Sequence, residues 1–375
     1  MKVLIIKMSS LGDVLHALPA VTDALNKRAD IHFHWLVEEG FQDVPGMHPG
    51  IEKVIPIAIR RWRKNWIGTI LSGELGEFVK ELRSEHYDLV IDAQGLIKSA
   101  MVGMIARGPV SGFDRHSIRE KLASVSYRES QSVAMDLHAV ERQRRLFAKI
   151  FSYEISGAPD FGLSGDYSQD HSSQDSSLQE TASKNNGLHL AKSSGHAGGR
   201  IMLLHGTTWE SKLWPESYWA QLSSLAQDRG FDVLIPAGNE IESARAHHIA
   251  EDSRATVLEG ADLRELAAVM AQCSGVVSVD TGLGHMAVAL DLPLVAIYGS
   301  TDPGLTGVYG ERQKVIVSDH LPCIPCRKRI CRYAIEDYSS KIYPPCYQPI
   351  TPELVWQALQ FQISQSNKNS NTQSN

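Results

Sequence analysis

Short apolar runs alternate with helix-period stretches along this chain, stop near residue 162 and resume at residue 200. In the first half KVLIIK (2–7), IHFHWLVEE (31–39), IEKVIPI (51–57) and LVIDAQG (89–95) read as strands. DVLHALPAVTDALNKR (13–28) and LGEFVKELRSEHY (75–87) repeat apolar residues at helical spacing. In the second half RIMLLHG (200–206), FDVLIPAG (231–238), GVVSVDTG (275–282) and LPLVAIYG (292–299) read as strands, with helices over 215–230 and 240–251. Strands that alternate with helices in this way require a parallel sheet covered on both faces. The expected fold class is α/β, with two doubly wound, Rossmann-like domains spanning 1–162 and 200–363.

The segment between them is Ser, Gln, Asn, Asp and Gly with scarcely any large apolar side chain. It cannot bury enough surface to offset its ordering entropy, so 163–199 is expected to be a flexible linker. A coil of that length spans roughly 35 Å r.m.s., enough to join two moving domains. SQSNKNSNTQSN (364–375) reads as a disordered tail for the same reason.

A length of 375 residues suits two domains, each with its own core. The net charge of -6 argues against nucleic acid as a partner. No apolar run approaches the roughly 18 residues that span a bilayer. MKVLIIKMSS holds four apolar residues between its lysines, too few for a signal-peptide core, so the expected location is the cytoplasm. Four of the five cysteines crowd between 323 and 346, unlike the disulfide framework of a secreted protein. Cys323, Cys326, Cys331 and Cys346, spaced C-x-x-C-x4-C-x14-C, suit a structural zinc site or reduced thiols packed in a basic loop.

KMSSLGDVLHALPAV (7–21) follows the first strand, where a nucleotide-binding loop would sit, yet it lacks the G-x-G-x-x-G fingerprint. It offers one glycine, Gly12, beside a carboxylate, Asp13, which is a poor neighbour for phosphate. As a plain structural residue, Asp13 would cap the following helix.

The second half carries two candidate phosphate loops. LLHGTTWESKLWP (203–215) offers Gly206, Thr207 and Thr208 and then Lys212 before a Pro-initiated helix. Amides, hydroxyls and an ammonium there could wrap a phosphate, or form an ordinary polar loop. SVDTGLGHMAVAL (278–290) places Asp280, Thr281, Gly282, Gly284 and His285 after a strand, where open α/β sheets bind ligands. In the plainer alternative Asp280 caps the helix and His285 is only packed. Glu242, after IPAGNE, suits a ribose diol or simply complements a helix dipole. IRRWRKNW (59–66) gathers Arg60, Arg61, Arg63 and Lys64 around two tryptophans, as a solvated basic loop or an anion-binding one.

Taken together, KMSSLGDVLHALPA, VIPIAIRRWRK, VIDAQGLIKSA, LHAVERQRRLFA, KLWPESYW, SVDTGLGHMAVALDLP and YGSTDPGLTGVYG resemble the ADP-heptose:lipopolysaccharide heptosyltransferases. The matches run in order from residue 2 to about 310, omitting only the polar segment, and two of them are similar to the type I branch. The resemblance implies a GT-B arrangement of two Rossmann-like domains facing across a cleft. It implies inverting transfer of L-glycero-D-manno-heptose from ADP-heptose onto a Kdo residue of Kdo2-lipid A. No cofactor is then required.

By the same resemblance Thr207, Thr208 and Lys212 contact the donor diphosphate, Glu242 the ribose, and Asp280, Thr281, Gly282 and His285 form the donor loop. Asp13 is the expected general base. A sugar hydroxyl is a weak nucleophile and needs a carboxylate within hydrogen-bond reach. Ser10, Gly12, Arg60, Arg61, Arg63, Lys64 and Arg119 are expected on the acceptor side, with the enzyme held peripherally at the cytoplasmic face of the inner membrane. A family member acting on a later core acceptor, or a non-catalytic nucleotide-sugar-binding protein, are the alternatives. An NAD(P)-linked oxidoreductase would want the missing glycine fingerprint.

Overall fold

The computed structural model describes residues 1–163, 198–251, 253–333 and 342–373. The segment read as a flexible linker lies, but for its end residues, outside the described residues. The chain forms two compact units, the first of Met1–Leu163 with Gly304–Thr306 and the second of the remaining described residues.

In unit 1, strands β1 (Lys2–Ile6), β2 (His32–Glu38), β3 (Ile51–Ile57), β4 (Leu89–Asp92), β5 (Val110–Phe113) and β6 (Glu129–Gln131) form one sheet. Its order is β3-β2-β1-β4-β5-β6, with every neighbouring pair parallel. The helices are α1 (Leu11–Leu15), α2 (Leu18–Lys27), α3 (Asp43–Gly46), α4 (Ile59–Trp62), α5 (Trp66–Leu71), α6 (Glu74–Leu82), α7 (Ile97–Ile105) and α8 (Ala139–Phe151). Successive strand residues point to opposite faces. Leu4 and Ile6 share a core with Phe78 and Leu82 of α6, Val102 of α7 and Ala106 just beyond it. Phe33 meets the rings of Phe147 and Phe151 in α8, at 6.2 and 6.1 Å.

Unit 2 repeats the plan with β7 (Arg200–Leu204), β8 (Asp232–Ala237), β9 (Thr256–Glu259), β10 (Gly275–Val279), β11 (Leu294–Tyr298) and β12 (Gln313–Val317). The order is β12-β11-β10-β7-β8-β9, again all parallel. Its helices are α9 (Glu216–Asp228), α10 (Glu240–Ala250), α11 (Leu263–Met270), α12 (Gly282–Ala289) and, after the short α13 (Pro303–Thr306) at which the division falls, α14 (Pro352–Gln373). Trp214 and Trp219 lie edge to face at 4.9 Å in its core, and the Trp214 indole donates to the Ile350 carbonyl at 3.0 Å.

The two doubly wound α/β units are those expected, with three differences of detail. The helix expected over 13–28 is two helices, α1 and α2. Pro19, in the first turn of α2, has no N–H and its ring excludes the carbonyl four residues back. The polar stretch from 364, read as disordered, continues α14 as far as Gln373. Once the packed part of a helix is formed, each further residue adds a hydrogen bond without a new nucleus. The short strands β5, β6, β9 and β12 were not among the apolar runs.

In each sheet the first strand is central, the second and third lie to one side, and the fourth to sixth to the other. The direction of winding therefore reverses between β1 and β4 and between β7 and β10. Outside the carboxyl ends of those strands the connections diverge and leave a crevice, which is where such sheets bind ligands.

On the far face of unit 1, Arg144 of α8 ties down α2. Its side chain is 3% exposed and grips Asp23 at 2.7 Å, with Glu141 at 3.0 Å. Arg144→Ala would strip Asp23 of its guanidinium partner and cost about 3–5 kcal/mol. Urea unfolding followed by circular dichroism measures this; a change under 1 kcal/mol, on the order of an exposed pair, would show that the pair does not anchor the helices.

Candidate active site

In unit 2 the loops after β7 and β10 leave neighbouring strands at the reversal point. Lys212 Nζ lies 2.7 Å from Asp280 Oδ2, the two side chains being 16 and 15% exposed. Thr301 Oγ1 donates to the same oxygen at 2.5 Å, and Thr207 Oγ1 donates to the Asp280 carbonyl at 3.2 Å. The Trp209 ring sits 4.6 Å from Lys212 Nζ and 5.8 Å from the Arg329 guanidinium. A cation held between a carboxylate and an aromatic face is aimed before any ligand arrives.

Thr281, not Asp280, is the N-cap of α12; its backbone is extended and its side chain makes no capping bond. The first amides of α12 thus open beside Lys212, at the positive end of the helix dipole. Gly284 permits close approach of α12 to its strand, since a Cβ there would lie 2.6 Å from Ser278 Oγ. His285 is buried within α12. Glu242 folds back over the β7 loop: Gly238 N–H donates to Oε2 at 2.9 Å, and a Cβ on Gly206 would come within 2.9 Å of its Cδ. Thr208 is exposed at the loop's tip.

In unit 1 the loop after β1 carries Asp13 as the third residue of α1. Ser10 is the N-cap, and its N–H and hydroxyl both donate to Asp13 Oδ2, at 2.8 and 3.1 Å. One carboxylate oxygen is thereby fixed by the capping box. Gly12 is buried beside it. The loop is held from β4, where Gln94 Oε1 accepts Met8 and Ser9 N–H at 3.0 and 3.1 Å. Lys7 is buried and donates to the Ala93 carbonyl at 3.0 Å. Burial lowers its ammonium pKa, against the pull of Asp13 and Asp92. Asp92, fully buried, accepts from Gln94, Gly95, Ser99 and Tyr127. Arg119, exposed, lies near enough to lower both Lys7 and Arg142.

The basic stretch is not uniform. Arg61 is clasped by Glu39 at 3.0 Å and Glu74 at 2.5 Å, which raises its pKa. Arg60 stacks 5.0 Å from the Phe41 ring centre. Arg63 and Lys64 project to solvent.

The zinc site suggested by the cysteine spacing is not formed among the described residues, where no group of three or more His, Cys, Asp or Glu is placed to hold a metal ion. Cys323, Cys326, Cys331 and Cys346 do line one small pocket with Ser211. Burial pushes the Cys346 thiol up to about 12 and also raises Cys331.

Sequence reasoning passed over Lys7, Gln94, Trp209 and Thr301. Lys7 and Gln94 sit in the quoted stretches KMSSLGD and VIDAQG, and a charged or amide side chain directly after a buried strand was the available signal. Thr301 had none, because its link to Asp280 spans 21 residues.

Two doubly wound units with charged loops at their winding reversals form the architecture of nucleotide-sugar glycosyltransferases. The pattern of "Glycosyltransferase family 9 (heptosyltransferase)" matches residues 75–335. Lipopolysaccharide heptosyltransferase 1 of Pseudomonas aeruginosa is 42% identical over 363 residues, covering 95% of this chain and 96% of the relative. That of Escherichia coli K12 is 43% identical over 318 residues, covering 84 and 93%. The solved structure of E. coli heptosyltransferase WaaC with ADP is similar with a TM-score of 0.74 at 41% identity, covering 85% of this chain and 94% of that one. The chain belongs to glycosyltransferase family 9, the heptosyltransferases, as its motifs suggested.

His205, the residue before Gly206, is fully buried, and burial lowers its pKa to about 4. The unfolded chain takes a proton near pH 6.5 while the folded protein stays neutral to about 4. Stability is therefore full above 6.5 and falls as pH drops toward 4, by up to about 3 kcal/mol from this group. Unfolding midpoints across that range should flatten in His205→Asn; an unchanged slope would contradict the assignment.

Proposed function

We propose that this chain is a type I lipopolysaccharide heptosyltransferase. It transfers L-glycero-D-manno-heptose from ADP-heptose to a Kdo residue of Kdo2-lipid A, with Asp13 as general base. The observation that carries the reading is the likeness to heptosyltransferase 1 relatives through both units, including that of P. aeruginosa over 95% of the chain. The WaaC relative was solved with ADP, which supports an ADP-sugar donor.

On this reading the diphosphate of ADP-heptose lies against Lys212, Thr207, Thr208 and the opening amides of α12 at Gly282, and Glu242 receives the ribose diol. Asp280 and Thr301 hold Lys212 in place. The acceptor hydroxyl attacks the anomeric carbon as the bond to the diphosphate oxygen breaks, and direct displacement inverts that centre. The hydroxyl proton passes to Asp13, whose Oδ2 is occupied by Ser10 and whose Oδ1 is the oxygen left to receive it. Negative charge moves onto departing ADP, where a preorganised ammonium and helix amides stabilise it more in the transition state than in the ground state. The carboxylate of Asp13 also favours the positive charge that develops on the sugar.

Arg63, Lys64, Arg60 and Arg119 suit the carboxylates of Kdo and the phosphates of lipid A. The protein acts at the cytoplasmic face of the inner membrane as a peripheral enzyme. Among the described residues no helix is long and apolar enough to cross a membrane.

Asp13→Asn keeps an oxygen for the Ser10 hydrogen bonds but cannot take a proton, so turnover should fall by about 10²–10⁴. Affinity for ADP by calorimetry should be unchanged. Lys212→Ala should do the reverse first, weakening ADP by about tenfold or more. Near-normal turnover in the first variant, or unchanged ADP affinity in the second, overturns the respective role. Within the basic stretch, Arg63→Ala and Lys64→Ala should each raise the acceptor KM about fivefold at low salt. Arg61→Ala should raise it less, because Arg61 is already paired. Equal effects from all three would mean that the ion pairs of Arg61 open on binding.

A further inference from the structure

Helix α7 is amphipathic in an unusual sense. Ser99, Ala100, Val102 and Gly103 form its buried face. Its exposed residues are Lys98 and the apolar Ile97, Met101 and Met104, these three lying four and then three residues apart. The turn Lys121–Ser126 packs against α7 and adds Leu122 and Val125, 73 and 81% exposed. A helix on a soluble surface normally turns polar side chains outward. A contiguous apolar surface marks an interaction site.

The surroundings of this face are cationic. Between residues 97 and 128 there are six lysines and arginines against two acids, in a chain with a net charge of -6. One of those acids, Glu120, is occupied in accepting the Ile97 N–H at 2.6 Å. Lys98, Arg115, Arg119, Lys121 and Arg128 are all exposed. The location is also specific. α7 follows β4, whose loop holds the Asp13 loop through Gln94. α6 and α7 cover the same face of the sheet in one core, and α5, with Trp66, Ile67, Ile70 and Leu71 exposed, packs on α6.

We propose that the face formed by α7 and the turn 121–126 is a membrane-docking surface for an anionic bilayer. Ile97, Met101, Met104, Leu122 and Val125 enter the upper acyl region, and the surrounding cations meet phosphate headgroups. Apolar insertion together with electrostatic attraction is how an in-plane helix binds a bilayer. Methionine side chains suit this role because they adapt to an irregular, fluid surface. Charge decides the occupant. A two-fold pairing of this face with a second copy would set two cationic rims against each other, whereas an anionic bilayer neutralises one. The face extends the proposed reaction, since it places the Asp13 loop at headgroup level, where the sugars of a glycolipid begin.

The test uses the full-length protein and vesicles that contain no glycolipid, so it does not depend on the proposed substrate. Flotation should show binding to phosphatidylcholine vesicles containing phosphatidylglycerol, weak binding to phosphatidylcholine alone, and release by salt. The double variants Met101→Asp/Leu122→Asp and Leu122→Asp/Val125→Asp alter only exposed side chains. They should lose about tenfold or more in vesicle partition, with ADP affinity and melting temperature unchanged. Their kcat/KM on a water-soluble, deacylated Kdo acceptor should equal that of the parent. Vesicle binding unaltered in both variants, no binding by the parent protein, or a parent dimer that the variants convert to monomer would each overturn the docking surface. Failure of both parent and variants to heptosylate the soluble acceptor, with vesicle binding as expected, would overturn the substrate assignment and leave the surface standing.

Discussion

In both units a side chain from the loop after the fourth strand holds the loop after the first. In unit 1 it is Gln94, whose amide oxygen takes two successive N–H groups of the β1 loop. In unit 2 it is Asp280, whose carboxylate takes Lys212 of the β7 loop and whose carbonyl takes Thr207. In unit 1 a second bond, from Lys7 Nζ to the Ala93 carbonyl at 3.0 Å, links the same two loops. A ligand site needs groups fixed to within a fraction of an ångström, and these two ties supply that rigidity. The rest of each site is arranged around them.

The same tie yields opposite chemistry in the two units because the charges differ. In unit 2 a carboxylate of the fourth-strand loop aims an ammonium outward beside helix amides, which suits an anion. In unit 1 a neutral amide does the holding, and the charge presented is the carboxylate of Asp13. Lys7 lies beneath that carboxylate rather than beside a ligand, buried and bonded to Ala93. Asp92 nearby is consumed by four donors within unit 1. Of the two acids beside Lys7, only Asp13 keeps an oxygen outside these networks.

Much of this was legible in the sequence, for a physical reason. Strands buried on both faces must be apolar throughout, so KVLIIK, GVVSVDTG and LPLVAIYG identify themselves, and a charged or glycine-rich continuation marks where each leaves the core. The motifs singled out Asp13, Lys212 and Asp280 as candidates because those residues lie within a few positions of strand ends. The edge strands β6, β9 and β12 were not legible, since ESQ, TVLE and QKVIV expose part of their length and lose the apolar run. Long-range pairing was equally hidden: nothing in RRWRK says that Arg61 alone meets Glu39 and Glu74. Nor does a cysteine spacing report that Cys346 is buried while Cys323, Cys326 and Cys331 are only partly so.

The proposed function is heptosyl transfer to a Kdo-bearing lipid. Mass spectrometry of Kdo2-lipid A after incubation with ADP-heptose and the purified protein tests this most directly. The predicted result is one added heptose per lipid, with ADP released in equal amount. An unchanged lipid alongside extension of an already heptosylated core would contradict it, and would assign the protein to a later step on the same scaffold.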